Sequence, residues 1–231
     1  MDYKNIVNLN YLEPDDTFRF ACNCCGQCCK EREDILLSAY DIMRLQGYLD
    51  ISFEELLLTY CEMYIGKESE LPIVRLRTEA RCPFLLHGKC YVQDAKPTVC
   101  ALYPLGRMFD GKKVRYFLQK HDCGAGNTEH TLRKWLEPLG PDSEKCCILW
   151  GNLLTEGTKI IKQIGKTNPE QKKMAQNFMA LLMYDEYDST EDPACQIQIR
   201  KDLIEQLPEK LSEISRIEKA GFVKRDAGER M

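Results

Sequence analysis

Five cysteines fall within eight positions, Cys22-Asn23-Cys24-Cys25-Gly26-Gln27-Cys28-Cys29, a density that side-chain packing does not require. Cysteines used as small buried hydrophobes are spaced by the period of the helix or strand that carries them. Thiolate ligation of a metal needs the opposite, soft donors crowded on a tight loop. Cys-x-x-Cys-x-x-Cys runs do this by aiming three sulfurs at one centre. Cys22, Cys25 and Cys28 have that spacing, and Gly26 lets the chain turn between them. The chain is therefore expected to fold around a metal centre.

Further along stand Cys82, Cys90, Cys100 and Cys123, each beside a turn-forming or polar neighbour. With Cys22, Cys25, Cys28 and Cys29 they give eight candidate ligands, enough for two four-thiolate sites. Neighbouring side chains tend to diverge, so Cys28 and Cys29 are expected to face two centres or two metals of one cluster. Cys24 is surplus to the regular spacing and reads as a free thiol or a neighbour of the ligands. His87 and His121 are the imidazoles that could complete a site short of a thiolate, although surface roles suit both. Cys61, in a predicted helix, reads as a buried hydrophobe. Cys146 and Cys147 lie near a helix start, where burial of Cys147 is expected, and neither they nor Cys195 are expected to hold metal.

An all-thiolate set suits both zinc and iron-sulfur clusters. Interleaved spacing and an excess of thiols favour iron-sulfur, with zinc as the alternative. The first reading implies a redox or radical-supporting centre. The second implies a structural module that presents a surface to a protein partner. Thirteen cysteines, an odd number, behind an N-terminus without a basic and apolar leader predict a cytoplasmic protein rather than a disulfide framework.

Composition removes other classes. A net charge of −4 gives no global basic field for nucleic acid, and no apolar run approaches membrane-spanning length. No glycine-rich dinucleotide fingerprint, Walker loop, HExxH or Ser-His-Asp arrangement is evident, and Gly124-Ala125-Gly126 reads as a turn. The reaction and any small-molecule substrate are left open.

Local patterns predict a mainly α fold with small β elements. Ser38-Ala39-Tyr40-Asp41 and Ser52-Phe53-Glu54-Glu55 are capping boxes that open helices, the first stopping near Gly47 and the second carrying Leu56, Leu57, Tyr60, Met63 and Tyr64. Residues 35–37, 73–77 and 114–118 read as extended, the last after a turn at Asp110-Gly111. Cys147, Trp150, Leu153, Leu154, Gly157, Ile160, Ile161 and Ile164 form one helical stripe. Asn168-Pro169 opens another helix with Met174, Phe178, Leu181 and Leu182 inward, and Ile197, Ile204 and Leu211 make a short seam interrupted by Pro208. A loop-rich cysteine region, residues 18–126, is thus expected to pack against a helical region, residues 127–220, with both able to belong to one domain.

Cys22-x-x-Cys25-x-x-Cys28-Cys29, Cys82-Pro83-Phe84-Leu85, Cys90-Tyr91, Lys96-Pro97-x-x-Cys100 and Tyr103-Pro104-Leu105 together resemble the YkgJ-type cysteine-cluster family, described as a zinc- or iron-chelating domain and often labelled Fe-S oxidoreductase. The resemblance covers roughly Phe20 to Cys123 and implies metal chelation. Two positions depart from it: the family usually has Arg-Pro where this chain has Lys96-Pro97, and commonly Arg where it has Ala101. A looser likeness to the cysteine region of flagellin lysine methylases makes a part in protein lysine methylation a further implied activity.

Overall fold

The computed structural model describes residues 10–22, 26–30, 32, 34–78, 81–120, 128–185 and 187–214. It is mainly helical, with small antiparallel sheets of two or three strands. In chain order, β1 (Tyr11–Leu12) and β2 (Thr17–Arg19) precede α1 (Ala39–Leu49) and α2 (Phe53–Tyr60). β3 (Cys61–Ile65) pairs with β4 (Pro72–Leu76), and a small hairpin joins β5 (Leu85–Leu86) to β6 (Lys89–Cys90). After α3 (Thr98–Leu102), β7 (Leu105–Phe109) and β8 (Val114–Leu118) form a hairpin whose outer edge on β8 receives β1. β9 (Glu129–Thr131) pairs with β2, and α4 (Leu132–Leu136) follows it. Three longer helices, α5 (Ser143–Thr167), α6 (Pro169–Tyr184) and α7 (Pro193–Glu205), complete the series, with a last helical stretch over residues 207–214.

Both capping boxes form. Ser38 Oγ accepts from the Asp41 amide at 3.2 Å while Asp41 Oδ2 accepts from the Ser38 amide at 2.9 Å, and Ser52 and Glu55 make the same exchange at 3.1 and 2.9 Å. α1 runs past Gly47 and ends when Asp50 turns left-handed, φ 54°. α2 is shorter than the sequence pattern predicts. Its backbone becomes extended at Cys61, and Met63 and Tyr64 lie on β3, opposite Val74 and Ile73. Short apolar runs fit helical and strand periods alike, and here the five-pair ladder with β4 decides. Residues 35–37 extend along the other edge of β4, with the Leu37 amide donating to Val74 O at 2.9 Å and the Leu76 amide to Ile35 O at 3.1 Å.

The main core gathers Ile35, Leu37, Ile42, Leu45, Leu56, Val74 and Leu76 against Leu153, Ile161, Met179, Ile197 and Ile204. Residues from both the cysteine-bearing and the helical stretch share it, and Cys82, Cys90 and Cys100 pack on its margin. The α5 stripe is headed by buried Cys146, while half-buried Cys147 packs against a second cluster built from Phe18, Phe20, Leu102, Leu105, Val114, Tyr116, Leu132 and Leu139. At Gly151 the Phe109 ring comes so close that an added Cβ would meet it at 2.4 Å, which joins β7 to α5.

The inward face of α6 is also rotated from the predicted one. Ala175, Met179 and Met183 are fully buried, whereas Met174, Phe178 and Leu181 are exposed and only Leu182 is half-buried as expected. Apolar residues occur so densely in this helix that periodicity cannot choose a face; the small Ala175 does, by permitting close packing. Ile197, Ile204, Leu207 and Leu211 all face the chain's own core, with Pro208 in the first turn of the resumed helix, where its missing N–H is harmless. Among the described residues no helix is long and apolar enough to cross a membrane.

Candidate metal centre

Four short segments bring thiols together, and each has a local reason for its path. Gly26, at φ +69°, starts a turn closed by the Cys29 amide donating to Gly26 O at 3.0 Å, and a 3₁₀ turn over Gln27–Cys29 presents Cys28 and Cys29. The Cys82 amide donates to Cys29 O at 2.7 Å, tying the second segment to the first. The β5–β6 hairpin reverses through His87 and Gly88, both at positive φ, and sets Cys90 opposite Leu85. Cys100 lies in α3, which starts after Pro97.

α1 holds the third and fourth segments in place. Asp41, Arg44 and Tyr48 lie three and four residues apart on one helical face. Asp41 Oδ1 accepts from the amide and the hydroxyl of Thr98, both at 2.6 Å. Arg44 donates to the carbonyls of Asp94 at 2.8 Å and Lys96 at 3.1 Å, and the Tyr48 hydroxyl reaches Tyr91 O at 3.3 Å. The stretch 91–98 has only a single 3₁₀ turn, Gln93–Ala95, before α3, so these bonds to its backbone help to order it. Nothing in the cysteine spacing announces them. The signal available was the helical spacing of three polar residues on a helix otherwise facing the core.

The result is a cavity of about 50 Å³ lined by Cys28, Cys29, Cys82, Cys90 and Cys100, with Arg32 and Lys96 at its wall. The Sγ atoms of Cys28 and Cys29 are 3.9 Å apart, so these neighbours converge on one cavity instead of diverging. The tight 3₁₀ turn overrides the alternation that an extended backbone would impose. Among the described residues no group of three or more His, Cys, Asp or Glu side chains is arranged to hold a metal ion as it stands. What converges is therefore a set of chain segments on a shared cavity, not a finished coordination sphere. The donors are the soft thiols that zinc and iron select.

Charge explains why such a cluster calls for a cation. Cys28 hydrogen-bonds to Cys29, which raises the Cys28 thiol and lowers that of Cys29: the pair gives up one proton readily and resists losing the second. The nearby sulfurs of Cys82, Cys100 and Cys90 oppose negative charge at Cys29. Burial pushes Cys82, Cys90 and Cys100 upward. A divalent cation among them reverses that preference by stabilising the thiolates. Arg32 is held by a two-point contact with Asp34, at 2.5 and 2.6 Å, and keeps positive charge beside the cavity. With Lys96 it supplies cations there, although Ala101 stands where the resembling family commonly has arginine.

Of the predicted ligands, Cys28, Cys29, Cys82, Cys90 and Cys100 share the cavity. Cys22 is exposed and lines an adjoining cleft together with Cys28 and Cys100. Cys25 and Cys123, like Cys24 and His121, lie outside the described residues. His87 is exposed at the hairpin tip and is not among the residues lining the cavity. The third histidine, His130, has its Nε2 2.9 Å from Phe20 O.

Cys61 and Cys146 are buried at 0% and 1% exposure, and burial pushes each thiol up to about 12. A thiol with that pKa is only about 10⁻⁴ ionised at pH 8, and burial also shields both sulfurs from reagent. Exposed Cys195 is therefore expected to be alkylated by iodoacetamide at pH 8 well before Cys61 or Cys146 in the folded protein. Peptide mass mapping over time checks the order; early labelling of Cys61 would contradict its burial.

Comparison with known proteins gives the same class. The family model CxxCxxCC, described as "Putative zinc- or iron-chelating domain", matches residues 21–124. The stretch that carries the cavity thiols is thus similar to that domain, whose description points to metal chelation in general. No curated protein and no solved structure matches the chain.

Proposed function

We propose that the chain is an iron-sulfur protein whose centre is held in the thiol cavity, with residues 18–126 as the metal-binding unit and residues 127–220 as its helical support. The observation that carries this reading is the convergence of five thiols from separate segments on one cavity, one more than a single tetrahedral ion can use. The cavity volume of about 50 Å³ is several times the roughly 10–15 Å³ that a single water needs, which suits a metal accompanied by inorganic sulfide. Cys28, Cys29, Cys82, Cys90 and Cys100 would be its nearest ligands, and Cys22, Cys25 and Cys123 complete the set of eight. When bound, such a centre would supply electron transfer or a site for activating a small molecule. The protein's residues would order the thiols and, through Arg32 and Lys96, offset their charge.

Zinc is the second reading, and one distance is compatible with it. Sulfurs on a tetrahedron with Zn–S of about 2.3 Å lie roughly 3.8 Å apart, close to the 3.9 Å between Cys28 and Cys29. The same edge suits two cysteines on one iron. Metal and acid-labile sulfide analysis after anaerobic purification separates the readings: iron with sulfide is expected. Stoichiometric zinc without sulfide would overturn the iron-sulfur proposal, and protein without metal under reducing conditions would overturn both.

A further inference from the structure

Beside the thiol cavity lies a second one, of about 270 Å³, and the two share Cys28, Cys100, Lys96 and Tyr103 as a common wall. Its size places it near the small end of ligand pockets, which run from about 300 to 1,000 Å³. Three aromatic rings shape its apolar side. Phe20 stands edge-on to Tyr103, with ring centres 5.7 Å apart and planes at 78°, and edge-on to Trp135 at 5.9 Å and 88°. The indole is fixed because Trp135 Nε1 donates to Leu102 O at 3.0 Å and its ring packs edge-on against His130 at 4.8 Å. The aromatic wall is therefore built in advance of any ligand.

The polar side is of one sign. Lys96 and Lys134 line the cleft, and among the described lining residues there is no aspartate or glutamate. Neither ammonium group has a carboxylate within ion-pair distance among the described residues. A larger cleft near β1 differs in this respect, since Glu13, Glu137 and Glu144 stand among its basic residues. Rigid rings beside two cations that have no carboxylate partner among the described residues match a flat apolar body that carries an anionic group.

We propose that this cleft binds a small aromatic carboxylate against the sulfurs of Cys28 and Cys100, which makes the metal centre the partner of a bound small molecule. The proposal rests on the metal reading for its chemistry but not for its binding site. Calorimetric titration of the full-length, metal-loaded protein with benzoate tests it, with benzyl alcohol as a ring without charge and inorganic phosphate as charge without a ring. Benzoate is expected to bind at least about tenfold more tightly than either. Exposed Lys134→Met is expected to weaken it about tenfold with metal content unchanged, as loss of a charged hydrogen-bond partner does. Phosphate binding as tight as benzoate, or benzoate binding unchanged in both Lys134→Met and Trp135→Leu, would overturn the site. Metal analysis on the same samples separates the two readings: loaded protein that ignores benzoate removes the cleft alone, whereas benzoate binding to protein without metal leaves the cleft and removes the centre.

Discussion

Serine in place of Cys100 is expected to reduce metal content to less than about a tenth of the parent and to lower the melting temperature by about 10 °C. Cys100 reaches the thiol cavity from α3, the end of a stretch whose internal hydrogen bonds are few. If the parent is purified with metal about a thousandfold above the dissociation constant, its apparent stability includes about 4 kcal/mol of binding. For a chain of this size each kcal/mol corresponds to roughly 2–4 °C. Cys82→Ser and Cys90→Ser should behave alike. Because Cys28 and Cys29 face one cavity with sulfurs 3.9 Å apart, each single serine variant should lose the same metal component, not separate ones.

The informative control is Cys146→Ser. It places a hydroxyl in the main core and is expected to cost about 1–3 kcal/mol of stability, yet metal content should stay at the parent level because Cys146 is not among the cavity-lining residues. Cys195→Ser, at an exposed position, should change neither quantity. Metal counting at equal protein recovery, with circular dichroism for the helices, checks the series. If Cys146→Ser loses metal as completely as Cys100→Ser, the ligand assignment is wrong.

The features legible in the sequence are those whose cause is local. Ser38 and Ser52 cap their helices through contacts three residues long, and the turn at Asp110 closes with its own side chain accepting from the amides of Lys112 and Lys113. The same holds for the thiol-rich turn, because a crowd of soft donors states its chemistry wherever the chain goes. Choices made by distant partners were not legible. The end of α2 at Tyr60 depends on a ladder with β4, residues 61–65 against 72–76. The inner face of α6 depends on how closely Ala175 can approach its neighbours. The convergence of Cys28 and Cys29 depends on a turn geometry that a spacing rule does not contain.

Asp41 is the residue on which the local and the distant meet, and Asp41→Asn is expected to destabilise the protein by about 2–4 kcal/mol while releasing metal. The carboxylate is 3% exposed. Its Oδ2 accepts from the Ser38 amide at 2.9 Å and the Ser38 hydroxyl at 2.6 Å, so it finishes the cap of α1. Its Oδ1 accepts from the Thr98 amide and hydroxyl and so fixes the first turn of α3, two residues before Cys100. Asparagine keeps the shape but turns one acceptor into a donor, which must face either the donors of Ser38 or those of Thr98. If it faces Thr98, α3 loses its anchor and Cys100 its position; if it faces Ser38, the helix cap fails instead. Thr98→Val removes one hydroxyl bond, leaves the amide bond to Asp41, and should cost only about 1 kcal/mol with metal retained. Thermal melts and metal counts on the two variants side by side distinguish a clamp from a mere cap. An Asp41→Asn protein that melts like the parent would show that the four bonds carry no net stability, and one that melts lower with full metal content would mean that the amide turns its donor to Ser38 and leaves the Thr98 anchor in place.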